Sequence, residues 1–222
     1  MSYRDLTREE VETALANDAW DLGNQVLYDL CSNHPRHKSH QEIIAKIWLI
    51  GRSYSAALER RKNKKEESAG DLFYEDIVVP KILEEDVDSW LGLLNKNSTH
   101  KEIVQAHFKL TKIFEDITKL EKRSLASKYL HFHQPNLFFI YDSRAVNVIR
   151  QITPNKNEQL LDLSSRDQND EEYLKFFRRC LWLQNDIEAK LGRKISPRDL
   201  DKILLFVSDR KLLGQFLQLQ NA

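Results

Sequence analysis

The sequence is poor in cysteine, methionine, glycine and proline, and neither sign of charge is in excess. Its 222 residues include two cysteines, one methionine, six glycines and five prolines. Cys31 and Cys180 lie far apart among apolar neighbours, so a disulfide framework is excluded and buried free thiols are expected. Lysine and arginine together number 34, as do aspartate and glutamate. The chain therefore has no global field that would recruit nucleic acid or an acidic membrane.

The sequence also lacks long apolar runs. No stretch approaches the ~20 consecutive apolar residues that span a bilayer, and the first residues lack the apolar core of a signal peptide. Hydrophobic residues nevertheless make up 41% of the chain, which is enough to bury a full core. We therefore expect a cytoplasmic protein without a membrane partner.

Motifs of nucleotide, hydrolase and metal chemistry are absent. The sequence holds no GxxxxGK[ST], GxGxxG, GxSxG or HExxH pattern. Histidine recurs at every third residue from His34 to His40, but no Cys-x-x-Cys pair accompanies it, so we expect surface histidines in a turn rather than a zinc site. His131 and His133 are expected to form hydrogen bonds around the turn Gln134-Pro135-Asn136. We expect no cofactor and no bound metal.

Helix starts are easy to recognise in this sequence. Three hydroxyl residues are each followed three positions later by glutamate, the capping-box pattern: Thr7, Ser39 and Thr99. Apolar residues then recur at helical spacing, whereas strand signals are nearly absent. The sequence predicts an all-α protein of about ten helices. Their predicted ranges are 8–31, 40–63, 71–79, 84–95, 100–120, 122–131, 143–152, 170–191, 197–207 and 209–219.

The chain is predicted to form one all-α domain over residues 1–222, a length near the upper end for a single domain. Residues 164–169 are polar and rich in turn-forming side chains. This stretch is a candidate connection between two lobes of that domain.

Lys128 is the first candidate for chemistry. On a helix, Leu125, Tyr129 and Phe132 share a face, and Lys128 lies beside them. A lysine beside apolar walls loses hydration, which favours the neutral amine, and a neutral amine is a nucleophile towards a sugar or carbonyl carbon. The alternative is a lysine whose stem covers apolar surface while its head reaches water.

Asp142 is the second candidate. It precedes the helical run that begins at Ser143, so it is expected to cap that helix. A carboxylate fixed at a helix start beside the apolar run 137–140 is also well placed to stabilise a developing cation. We expect Lys128 and Asp142 to open into one shared hollow.

The region around these two residues is locally basic. From residue 121 to residue 156 there are six Lys or Arg against two acids, and aromatic residues lie among them. Phosphates need cations and a flipped base needs a stacking partner, so the segment favours contact with double-stranded DNA.

Two stretches of this segment resemble a known family. Ser127–Phe132, Ser-Lys-Tyr-Leu-His-Phe, and Phe139–Arg144, Phe-Ile-Tyr-Asp-Ser-Arg, are similar to the core of the helix-hairpin-helix DNA glycosylase superfamily, and most similar to its 8-oxoguanine glycosylase-like branch. That family has glycines just before its lysine. This chain has Arg-Ser-Leu-Ala-Ser there, and no glycine lies between Gly92 and Gly192. The resemblance implies an all-α fold with two lobes.

In bifunctional members of that family, a lysine attacks the sugar of a flipped nucleotide and a downstream aspartate assists. The resemblance implies that Lys128 is the attacking amine of a DNA N-glycosylase or abasic-site lyase, and that Asp142 stabilises the cationic transition state. It further implies a base pocket and a set of phosphate-binding cations. The expected pocket residues are Tyr129, His131 and Tyr141, and the expected DNA-binding residues are Arg52, Lys122, Arg123 and Arg144.

Two alternatives stay open at this point. In the first, the chain is a non-catalytic module whose basic segment binds DNA or RNA, which the missing glycines favour. In the second, it is a helical protein-interaction domain without a nucleic-acid role, which the zero net charge favours.

Overall fold

The computed structural model describes residues 3–61, 72–154 and 169–220, with side chains as far as Arg210. Within these ranges the chain forms ten α-helices and no strand, so the predicted all-α fold of about ten helices is confirmed. The helices are α1 (Arg8–Leu15), α2 (Asp21–Asn33), α3 (His40–Ser53), α4 (Val79–Glu84), α5 (Val87–Leu91), α6 (His100–Thr118), α7 (Arg123–His133), α8 (Ser143–Ile152), α9 (Glu171–Leu191) and α10 (Pro197–Gln220). A π-helical turn, Tyr74–Val78, runs directly into α4.

Several predicted helix ranges are wrong. The helix predicted over 8–31 is interrupted, because the side chain of Asn17 accepts the amide of Ala19 at 3.2 Å, a local turn that competes with the helix. The helix predicted over 40–63 ends earlier, and Ser55 beyond it has a left-handed φ of 53°. Residues 62 and 63 of that range lie outside the described residues. The last two predicted helices form one continuous helix, α10.

The three predicted caps are present, with one difference. Thr7 and Thr99 form complete capping boxes with Glu10 and Glu102. Ser39 accepts the amide of Glu42 at 3.2 Å. The Glu42 carboxylate, however, contacts the ring of His34 at 3.1 Å. The helix starts predicted from the local sequence are therefore confirmed.

The chain divides into two compact units. The first unit contains residues 1–20, 139–162 and 171–222, and the second contains residues 21–138 and 163–170. The first therefore holds α1, α8, α9 and α10, and the second holds α2 to α7. The predicted polar connection at 164–169 lies outside the described residues except for Asn169.

In the first unit, α8 packs against α9 and α10, and α1 packs against the same two helices. Aromatic rings fill its interior. Phe139 lies edge-on to Phe177 with their centroids 5.2 Å apart, and the hydroxyl of Tyr173 donates to the carbonyl of Phe139 at 3.2 Å.

In the second unit, α7 packs against α2, α3 and α6. Because helices surround it on several sides, every residue from Leu125 to Phe132 is buried. This run includes polar residues that an amphipathic surface helix would leave in water. They are Ser127, Lys128 and His131. Helix α7 therefore carries polar side chains into the interior of the second unit.

None of the helices in the described ranges is both long enough and apolar enough to cross a membrane.

Candidate functional site

Lys128 lies on the second helix of a helical hairpin. Helices α6 and α7 pack together and are joined by a turn at residues 119–122. Lys119, at the end of α6, has φ 56° and ψ 28°, and its amide donates to the carbonyl of Glu115 at 2.7 Å. This left-handed conformation favours glycine. In this hairpin a lysine, Lys119, takes the left-handed position that glycine would normally occupy.

Lys128 is buried, with 2% of its surface exposed. Its Nζ donates to the hydroxyl of Ser124, one turn earlier in α7, at 2.7 Å. Nζ also lies 5.5 Å from the ring centroid of Tyr54. The alternative in which the lysine head reaches open water is therefore wrong. Burial of an amine is costly unless hydrogen bonds hold it, and Ser124 supplies one.

Asp142 caps α8, as predicted. Its Oδ1 accepts the amide of Ala145 at 2.8 Å, and its backbone is extended. The residue is half-buried. Asp142 belongs to the first unit and Lys128 to the second, so a hollow shared by the two residues stays a prediction.

The three residues predicted for a base pocket are in different surroundings. Tyr129 is fully buried, and His131 is buried with Nδ1 on the carbonyl of Phe138 at 2.8 Å. This bond spans the turn after α7 and confirms the predicted hydrogen-bonding role of His131. Tyr141 is half-buried in the first unit and lies edge-on to Phe176. Their part in binding a base stays a prediction.

Two of the predicted DNA-binding cations form exposed ion pairs. The guanidinium of Arg52 donates to Glu59 at 2.6 and 3.0 Å, and that of Arg144 donates to Asp209. Their side chains are 59% and 46% exposed. Exposed pairs of this kind contribute about 0–1 kcal/mol, so a phosphate can replace the carboxylate at little cost.

The other two cations are held more firmly. Lys122 donates to the main-chain carbonyls of Ala57 and Arg60. Arg123 pairs with Glu121 and with Asp170, whose side chain is only 5% exposed. A phosphate would have to displace partly buried partners at these two residues.

A second buried cluster was not predicted from the sequence. The imidazole of His37 lies between Asp88 and Tyr129, and we refer to these three residues as the buried triad. Nδ1 of His37 is 2.7 Å from Oδ1 of Asp88, and Nε2 is 2.6 Å from Oη of Tyr129. The amide of His37 also donates to Oδ2 of Asp88 at 2.9 Å. The prediction that His37 is a surface histidine is wrong, because it is 4% exposed.

Lys46 and His133 lie next to the triad. Nζ of the fully buried Lys46 donates to the carbonyls of His34 at 2.9 Å and Arg36 at 2.6 Å, which fixes the loop that carries His37. The ring of His133 stacks on that of His37 with centroids 5.3 Å apart, and its Nδ1 lies 2.8 Å from the carbonyl of Tyr129. Nε2 of His133 is buried without a hydrogen-bond partner.

Burial shifts the pKa of each group in this cluster. Burial is the largest cause of the lowered pKa of His37, Lys46 adds to it, and Asp88 opposes it. Burial, followed by His37 and Lys46, lowers the pKa of His133 to about 3. Burial also lowers the pKa of Lys46 and raises that of Tyr129 well above 10. For Asp88, burial acts to raise the pKa, but the hydrogen bonds from His37 and the charges of His37 and Lys46 together lower it.

One sequence signal could have revealed part of this cluster. Lys46 lies three residues after Ile43 and four before Ile50, so it occupies the apolar face of α3. A lysine at that position requires acceptors inside the fold. Nothing local marks His37, because Asp88 and Tyr129 are 51 and 92 residues away in sequence.

No group of three or more His, Cys, Asp or Glu residues in the described ranges is arranged to hold a metal ion. Comparison of the chain with protein-family models, curated proteins and solved structures finds no significant match.

Proposed function

We propose that the chain is a glycosylase-like protein that binds DNA and uses Lys128 to act on the sugar of an extruded nucleotide. The observation that carries this proposal is the setting of Lys128. Its amine is buried on α7 after a helical hairpin and contacts a hydroxyl and an aromatic ring. The resemblance of 127–132 and 139–144 to the glycosylase core supports the same assignment.

The proposed chemistry needs a neutral amine with a lone pair. Nζ of Lys128 attacks C1′ as the bond from C1′ to the base breaks, and the base departs with the bonding electrons. Loss of one proton from nitrogen and opening of the sugar ring give a protonated Schiff base. Nζ donates one N–H to the hydroxyl of Ser124, which orients the amine and does not occupy the lone pair that attacks C1′. By resemblance, Asp142 stabilises the positive charge that develops on the sugar.

Binding of the duplex would rely first on the exposed cations. Arg52 and Arg144 exchange weak carboxylate partners for phosphate, and each exchange releases counterions from the DNA. Lys122 and Arg123 lie at the start of α7, where no side chain caps the helix. A helix start with basic residues favours an anion.

A second candidate is a helical protein-interaction domain without a nucleic-acid role. The pairing of all four predicted cations with acceptors of their own unit favours it, as does the zero net charge. This candidate requires no measurable affinity for DNA even at low salt.

Borohydride trapping tests the catalytic proposal. Wild type is incubated with duplexes that carry an abasic site, an oxidised purine or an oxidised pyrimidine, and a reductant converts any Schiff base to a stable adduct. We expect an adduct with wild type and with the control Lys96→Ala, which changes an exposed lysine of the same unit. Lys128→Arg, which retains the charge but cannot form a Schiff base, should give none. No adduct on any duplex removes the lyase proposal.

A binding assay separates DNA affinity from chemistry. Duplex affinity is measured over a series of salt concentrations with wild type and Lys128→Arg. We expect both proteins to bind, with affinity that falls steeply as salt rises. Binding without an adduct supports the non-catalytic module, and no binding at low salt supports the protein-interaction domain.

A further inference from the structure

The buried triad joins three separate parts of the second unit. His37 comes from the loop between α2 and α3, Asp88 from α5 and Tyr129 from α7. Tyr129 is fully buried and His37 nearly so, whereas the side chain of Asp88 is 18% exposed. The triad therefore has too little accessible surface to act on a substrate, and its effect is on the fold.

Donors and acceptors in the triad match for only one proton arrangement. The carboxylate of Asp88 can only accept, so Nδ1 of His37 carries a hydrogen. In the neutral ring Nε2 then accepts, and the hydroxyl of Tyr129 donates to it. A proton added to Nε2 reverses the second bond. The hydroxyl hydrogen of Tyr129 then needs a new acceptor in a fully buried place, which is costly.

The groups around His37 have opposite effects on its protonation. Asp88 and Glu42 favour the imidazolium, whereas Lys46 and burial oppose it.

Two further neighbours add to the balance. His133 stacks on His37, so protonation of both rings at once is unfavourable because like charges repel. Cys31 lies near Lys46 and Tyr129 and is a neutral thiol, since burial raises its pKa to about 12.

We propose that the buried triad is a pH-sensitive connection: with His37 neutral it fixes α7 to α5 and to the loop between α2 and α3, and protonation of His37 releases α7. The inference is independent of any action on DNA. It predicts two states of the second unit, one with α7 held and one with α7 loosened, populated according to pH.

The consequence for α7 follows from its position. Tyr129 attaches α7 to the triad through its hydroxyl, and His133 attaches the last turn of α7 by stacking. Reversal of the bond displaces the hydroxyl hydrogen of Tyr129 in a buried place, which weakens the polar connection between the second half of α7 and α5. The amide hydrogens in this half of α7 should then be less protected, meaning that their exchange rate comes closer to the intrinsic rate of an unfolded chain.

Nuclear magnetic resonance of the wild-type protein is the first test. The ring nitrogens of His37 report which nitrogen is protonated, and amide exchange reports protection in α7, both between about pH 8 and about pH 4. We expect Nδ1 to carry the hydrogen at neutral pH. Protection of α7, corrected for intrinsic exchange, should fall about tenfold as Nε2 gains a proton. A hydrogen on Nε2 at neutral pH, or the absence of a step in α7 protection that coincides with protonation of His37, overturns the proposal.

A matched pair of variants is the second test. His37→Gln removes the titrating ring of the triad. His131→Gln removes a ring from α7. That ring lies between the hydroxyl of Tyr28 and a main-chain carbonyl, whereas the ring of His37 contacts a carboxylate. We expect the step in α7 protection that accompanies protonation of His37 to vanish only in His37→Gln, whereas the gradual loss of protection caused by His133 and His107 remains in both variants. The same step in both variants, or its loss in both, contradicts the assignment. If His37→Gln does not fold, the wild-type titration decides.

Discussion

Among the described residues of the second unit, two lysines are buried, and they differ in the partners that hold them. Lys46 donates to two main-chain carbonyls, whereas Lys128 donates to the hydroxyl of Ser124. Both are almost without exposed surface. A carbonyl only accepts hydrogen bonds, while a hydroxyl both accepts and donates. Burial alone therefore does not distinguish a structural lysine from a reactive one, so the hydrogen-bond partners have to be compared.

The distinction concerns the lone pair of the neutral amine. At Lys128 the amine donates to the hydroxyl of Ser124, and this bond does not occupy the lone pair of the neutral form. At Lys46 the two carbonyls cannot donate, so they favour the charged form. They belong to His34 and Arg36, just after the end of α2, where a cation is favourable. The partners of Lys46 thus favour a structural role, while the reactive role of Lys128 stays a prediction.

The largest expected effect is on stability, from exchange of each lysine for methionine. Lys46→Met removes two charge-assisted hydrogen bonds and a buried cation near Asp88, so we expect a loss of about 2–4 kcal/mol in the free energy of unfolding. Lys128→Met removes the hydrogen bond that Nζ donates to the hydroxyl of Ser124, and a loss of about 1–2 kcal/mol is expected. Urea denaturation of both variants measures the difference. Equal losses would contradict the comparison.

Acid should weaken the second unit through its neutral histidines. Burial lowers the pKa of His133 and of His107 to about 3, below the usual value of 6.5. The unfolded state then binds more protons between these values, so stability falls as pH decreases below about 6.5. Each ring contributes a slope of about 1.4 kcal/mol per pH unit in this interval.

Urea denaturation at a series of pH values measures this slope. His107→Gln should remove about one ring's share, because glutamine does not titrate. An unchanged slope in His107→Gln would mean that its ring is not neutral in the folded protein.

Removal of the hydroxyl beside Lys128 should affect reactivity more than stability. Ser124→Ala deletes the hydroxyl that accepts a hydrogen bond from Nζ and orients the amine, and we expect the rate of adduct formation to fall about tenfold. Stability should change by no more than about 1 kcal/mol. Ser124→Thr retains a hydroxyl and is the control. Equal rates for the alanine and threonine variants would show that the hydroxyl has no part in activation.

The smallest expected effect concerns the exposed cations. Arg144→Gln breaks an exposed pair with Asp209, so stability should change by less than about 0.5 kcal/mol. If Arg144 contacts a phosphate, the slope of log affinity against log salt should decrease by about 1. An unchanged slope removes Arg144 from the interface. Lys96→Ala serves as the matched control for a lost surface charge.

Features set by neighbours in sequence were predictable, and features set by distant residues were not. The caps at Thr7, Thr99 and Asp142 follow from side chains that reach only three residues along the chain, and all three are confirmed. The hairpin residue Lys119 carries no signal, because lysine rarely adopts a left-handed backbone.

The contrast is clearest for the histidines. His131 bonds to a carbonyl seven residues away, and its role near the turn could be predicted. His37 contacts Asp88 and Tyr129 only after α5 and α7 have packed. Its burial could therefore not be predicted from the sequence around it, which indicates a surface turn. Tertiary contacts determine whether such a side chain is buried, and local sequence patterns carry no information about those contacts.

Peptide mapping of the trapped adduct tests most directly whether Lys128 is the reactive amine. A modified Lys128 resists trypsin, so the adduct should appear on one peptide that runs from Ser124 to Arg144. We predict that DNA is attached to this peptide and that Lys46 is unmodified. An adduct on another lysine, or none on any lesion-containing duplex, would contradict the assignment of Lys128.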